Sequence, residues 1–128
     1  MDKDFIETQS SEISIDEHGI LKVIKKQGSY EIINDAMENI AAIKKITKGN
    51  SFPSLVDIRK MQYQDADAVT YYANMAKSTN CLACAILIDP DQSKTHGKTN
   101  QQIQGSIIPT AIFTDEQMAI DWLKSMIN

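Results

Sequence analysis

Polar and apolar positions alternate along Glu12-Ile13-Ser14-Ile15, inside a stretch of β character at residues 5–15. A period of two marks a strand with one face buried. Asp16-Glu17-His18-Gly19 reads as a turn in which Gly19 takes a positive φ at little steric cost. Residues 20–25 give a second strand, and the two together predict a hairpin. Gln27-Gly28-Ser29 ends that pattern. From about Asn34 the spacing becomes helical, with Ala36, Ile40, Ile43 and Thr47 on one face and Asp35, Glu38 and Lys45 on another. Asn34 is placed to cap the start, the last-turn lysines suit the helix dipole, and Gly49 ends the helix.

Pro53 precedes a short buried strand, Leu55-Val56-Asp57-Ile58. Asp65 or Asp67 opens the next helix, predicted to run to about Thr79 with a stripe of Ala66, Val69, Ala73 and Ala76. Residues 81–88 are apolar without alternation, the pattern of a strand covered on both faces. Residues 89–106 are almost wholly polar, with Ile103 the exception. Residues 107–113 form the last strand, where Pro109 favours an edge or the strand's start. Thr114 and Gln117 fit a capping box ahead of a helix carrying Met118, Ala119, Trp122, Leu123 and Met126. Strands that alternate with helices after an initial hairpin predict a single α/β domain over residues 1–128, its sheet mixed but mostly parallel.

Composition narrows the function classes. The formal charge is −4, and Asp and Glu outnumber Lys and Arg, 17 to 13. A nucleic-acid binder carries a basic stripe, so nucleic acid is not expected as a partner. No run reaches the roughly 20 apolar residues of a membrane span. The polar start Met1-Asp2-Lys3-Asp4 is not that of a signal peptide, which makes the cytoplasm the expected location. Two cysteines do not make a secreted disulfide scaffold.

The candidate chemistry is sparse. Cys81-x-x-Cys84 enters an apolar strand instead of a helix start, and strand residues three apart point to opposite faces, so the pair reads as buried and structural. His96-Gly97-Lys98-Thr99 resembles the end of a phosphate loop, but Gln92 stands where the first glycine is required. Asp57 and Arg59 lie at the C-terminal end of a strand, where open α/β sheets bind ligands, and Asp65 and Asp67 follow. These carboxylates are read against cation or acid–base chemistry on one side and helix capping on the other, and capping is preferred. Tyr71 and Met75, four apart, are either an exposed contact pair or half-buried packing. No catalytic residue, cofactor or metal site is expected.

With Val56-Asp57-Ile58-Arg59-Lys60-Met61, the helix from Asp65 and the segment from Phe113 to Leu123, the chain resembles the bacterial STAS-like group related to anti-sigma-factor antagonists, over about residues 13–127. The resemblance implies a mixed sheet with helices packed on it, used as a protein-interaction or small-ligand module. Related CRAL-TRIO domains hold lipids. The antagonists begin the helix with Asp-Ser-Ser-Gly, one Ser of which is phosphorylated. Here the stretch is Asp65-Ala66-Asp67-Ala68, so Asp67 stands about where that Ser would be, with a fixed charge. Where relatives carry apolar residues, segment 93–104 has Lys94, His96, Lys98, Asn100, Gln101 and Gln102. The expectation is a non-enzymatic regulatory module binding a protein partner through Asp57, Arg59, Asp65, Asp67, Tyr71 and Met75. The alternative is a carrier or sensor of a small hydrophobic ligand or lipid. A homodimer fits the commonest soluble assembly.

Overall fold

The hairpin read from the alternation forms the antiparallel end of a larger sheet in the computed structural model, which describes residues 4–92 and 108–127. The strands are β1 (Phe5–Glu7), β2 (Ser11–Ile15), β3 (Leu21–Lys25), β4 (Tyr30–Glu31), β5 (Phe52–Asp57), β6 (Tyr63–Gln64), β7 (Cys81–Leu87) and β8 (Thr110–Phe113). The helices are α1 (Ile33–Thr47), α2 (Ala66–Met75) and α3 (Glu116–Met126). Six strands form one sheet in the order β1-β2-β3-β5-β7-β8. The pairs β1/β2 and β2/β3 are antiparallel, and β3/β5, β5/β7 and β7/β8 are parallel. The expected mixed, mostly parallel sheet is therefore present. β4 and β6 make a separate parallel pair, Tyr30 opposite Tyr63 and Glu31 opposite Gln64, too short to be visible as strands in the sequence.

Period two divides the side chains between two cores. On one face Ile13, Leu21, Val23 and Phe52 meet Ile40, Ile43 and Ile46 of α1. On the other, Ile20, Leu55, Ala83, Ala85 and Leu87 meet Ala119 and Leu123 of α3. The predicted α1 face, Ala36, Ile40, Ile43 and Thr47, is buried as a whole. β7 is interior, between β5 and β8; its Ala83, Ala85 and Leu87 are buried against α3, while Cys84 and Ile86 on its other face are half-buried and line a cavity. β8 is an edge strand, and Pro109 immediately precedes it.

Several local expectations need correction. Asn34 does not cap α1; the Asp35 carboxylate accepts from the Ile32 N–H at 3.0 Å. Asp115, not Thr114, caps α3 by accepting from the Met118 N–H, and Gln117 bonds Asp121 instead of closing a box. Met118 and Met126 of α3 are exposed. α2 is shorter than expected, and it does not present the Ala66 stripe. It buries Ala68 and packs Tyr71, Tyr72 and Met75 against the α1-side core.

Pro53 lies inside β5, not before it. It has no N–H for the ladder, and the register breaks there: Phe52 pairs with Cys81 and Pro53 with Ala83. Leu82 is thus an extra residue in β7, a bulge beside the proline. The bulge advances the side-chain alternation by one. Cys81 and Cys84 consequently share a face, contrary to the opposite faces that simple period two predicted, and both line one cavity.

The two-face candidate site at the α2 start

Asp57 and Arg59 are committed to one another. The carboxylate accepts from Arg59 Nε at 3.0 Å and Nη2 at 2.8 Å, and from the Arg59 backbone N–H at 3.0 Å. This fork holds the guanidinium pKa further above its ordinary value. Arg59 also reaches Glu116 of α3 at 3.7 Å. Asp57 is in phase with Leu55, so the pair belongs to the α3 face of the sheet.

Asp65 and Asp67 stand at the start of α2, which packs on α1 across the sheet. Asp65 Oδ1 accepts from the Asp67 N–H at 3.0 Å, an N-cap that satisfies one unpaired donor of the first turn. The capping preference holds for Asp65, while the Asp67 residue is exposed. Tyr71 and Met75 are half-buried against the core, the second of the two alternatives. The six expected contact residues thus divide between an ion pair on the α3 face, a capped helix start, and packing beneath α2. Among the described residues no three His, Cys, Asp or Glu side chains converge on a metal position. The His96–Thr99 motif lies outside the described residues.

Beside the α2 start is a feature that the sequence reading missed. Tyr30 and Tyr63 stack across the β4/β6 pair, ring centroids 4.5 Å apart, and Tyr30 is 64% exposed. Ile32, Ile33 and Met37, which follow Tyr30 in the chain, are exposed as well, the last two on one face of α1. The Asp65 N–H bonds the Glu31 carbonyl at 2.9 Å, which fastens the α2 cap to the base of this patch.

Beneath the patch the inward side chains of β4 and β6 enter a buried polar network. Lys25 Nζ and Glu31 Oε2 are 2.9 Å apart with side chains 2% and 0% exposed. Glu31 also accepts from Ser10, Asn39 and, at its other oxygen, Gln64 Nε2. Lys25 and Asn39 both donate to Tyr72 Oη, at 3.0 and 2.8 Å. Burial pulls the Lys25 pKa down against the opposing pull of Glu31. For Glu31, burial acts upward, but Lys25 and the donors from Gln64 and Ser10 outweigh it and hold the carboxyl below its ordinary range.

Lys25 and Tyr72 stand together at a polar end of a mostly apolar, partly open cavity of about 150 Å³ between the sheet and the two helices. Ile43, Val56 and Ile86 form its walls, with both cysteines. Burial pushes the Cys84 thiol up to about 12 and raises Cys81 as well, so both are neutral, unreactive wall atoms near neutral pH. No described helix is long and apolar enough to cross a membrane.

Among solved structures the chain is similar to an uncharacterised DUF3478-family protein with a SpoIIAA-like fold from Shewanella loihica PV-4. The identity is 14% and the TM-score 0.62, over 93% of this chain and 90% of that one. It is also similar to a chain of the complex of the diguanylate cyclase SiaD with its activator SiaC from Pseudomonas aeruginosa, at 17% identity and a TM-score of 0.50, covering 84% and 96%. A third similar structure is apo-SiaC from the same organism, at 16% identity and a TM-score of 0.48, covering 85% and 95%. The fold is SpoIIAA-like, the STAS-like architecture that the resemblance implied. No curated protein matches the chain. Residues 13–127 match a family described as a domain of unknown function, DUF7793, and the chain belongs to that family.

Proposed function

We propose that this protein is a non-enzymatic interaction module that binds a protein partner at the start of α2. One observation carries the reading: large apolar side chains at Tyr30, Ile32, Ile33, Met37 and Tyr63 are exposed together beside the charged helix start. Single exposed apolar residues are ordinary, but a group of them rimmed by charge is how a docking surface looks. Two exposed carboxylates follow here in the chain, Glu38 directly after Met37 and Asp67 in the first turn of α2. The matching partner surface has an apolar centre and basic residues around it. The fold likeness to a chain of the SiaD–SiaC complex, in which an activator is bound to a cyclase, supports protein binding as the use of this fold.

Within this reading Asp67 contributes a permanent charge, so binding is not gated by phosphorylation at that position. Asp57 and Arg59 shape the nearby turn and keep each other occupied. Tyr71 and Met75 hold α2 in place from beneath.

The test is capture of a partner from the protein's own cells by wild type, Asp67→Lys and Met37→Asp. Both variants should lose the partner while keeping the wild-type Tm within a degree or two, since both positions are exposed. Undiminished capture by both variants would remove this surface from consideration.

A further inference from the structure

α2 leans on α1 and stands off the strands, whereas α3 lies directly on β7. The space between α2 and the strands is the cavity, over the β5 and β7 half of the sheet. Small side chains keep it open: Ser54 on the floor, Ala76 and Thr79 after α2, and the two cysteines that the Leu82 bulge turns to the same side. Native interiors hold few voids larger than a water molecule. A mostly apolar space of about 150 Å³ is large enough for a benzene-sized guest. It is small beside the roughly 300–1,000 Å³ of drug-sized sites.

The polar end narrows the chemistry. Among the described residues Lys25 Nζ donates to Glu31 and to Tyr72, two of its three protons, and it lines the cavity. The Lys25 ammonium is already neutralised by Glu31 behind it, so a guest needs no charge of its own, and a cationic one would be repelled by the ammonium in the lining. We propose that this cavity is a ligand site for a neutral, ring-sized apolar molecule carrying one hydrogen-bond acceptor, the ring held by Ile43, Val56 and Ile86 and the acceptor turned to Lys25. The site is independent of the docking surface and needs no partner to be tested.

Anisole and toluene are matched probes, nearly equal in size, and only anisole has the acceptor. Each is titrated into methyl-labelled full-length protein and followed by NMR. Anisole should shift the methyls of Ile43, Val56 and Ile86 saturably, show intermolecular contacts to them, and bind on the order of tenfold tighter than toluene, the increment of one hydrogen bond to a charged donor. Ala76→Phe should abolish binding while the Leu87 and Leu123 methyls on the far face stay at wild-type positions. The wild-type contacts stand as evidence even if that variant does not fold. Shifts confined to surface methionines, no saturation up to the solubility limit, or full affinity in folded Ala76→Phe would overturn the site. Equal affinity for toluene would overturn the assignment of its polar end.

Discussion

At the scale of the residue, the determining feature is a lysine in a core position. In Leu21-Lys22-Val23-Ile24-Lys25 the inward phase is Leu21, Val23 and Lys25. On α1, Asn39 is in phase with Ala36, Ile40 and Ile43. Two polar residues on two inward faces were thus legible as a signal of a buried network, but Glu31 was not, because a two-residue strand has no periodicity to read. Desolvation makes such a pair a weak source of net stability, yet removing one partner strands the other charge. Lys25→Met or Glu31→Gln alone should cost about 3–5 kcal/mol in urea unfolding, and the double variant clearly less than the sum. The pH dependence has a definite sign. Glu31 titrates below its ordinary 4.5 in the folded state, so the unfolded chain takes up its proton first. The stabilisation is complete above 4.5 and is lost as the pH falls through the folded value. The double variant should show a shallower acid limb, and parallel limbs would contradict the assignment.

At the scale of the element, order and type were readable because they rest on local period, and α1 came out with its buried face correct. The larger failures have non-local causes. α2 buries Ala68 and half-buries its tyrosines because α1 is its main neighbour. The shared face of Cys81 and Cys84 depends on a proline in the neighbouring strand, which no window along β7 contains. Caps were misplaced by one or two positions at α1 and α3, since several acidic or hydroxyl residues compete for each start. At α2 two aspartates compete, and the structure separates them. Asp65 carries the capping bond, so Asp65→Ala should cost about 1 kcal/mol. Asp67→Ala, with no such bond to lose, should stay within roughly 0.5 kcal/mol of wild type. Chemical denaturation of the two single variants decides the matter, and equal losses would show that the cap is shared.

At the scale of the whole molecule, the two faces of the sheet are built differently, and this is what leaves room for function on one of them. The α3 face is closed by direct contact of Ala119 and Leu123 with Ala83, Ala85 and Leu87, all buried. The other face is closed by α1 over the hairpin half, while α2 bridges the remainder above the cavity. Neither the cavity nor the exposed Tyr30–Tyr63 patch was legible in the sequence, since both arise from how elements far apart in the chain are stacked. An element with little strand contact opens at lower free energy than the strands it covers. Native-state amide exchange should therefore find α2 exchanging through a local opening, with β3, β5 and β7 protected close to the global unfolding free energy. α3, fastened to β7, should follow the strands. Occupying the cavity with anisole should raise the protection of α2 selectively, because Tyr72 of α2 and Ala76 just after it line the cavity. If α2 and α3 exchange with the same free energy in the free protein, the sheet has two equivalent faces, and the asymmetry that separates a structural side from a binding side does not exist in solution.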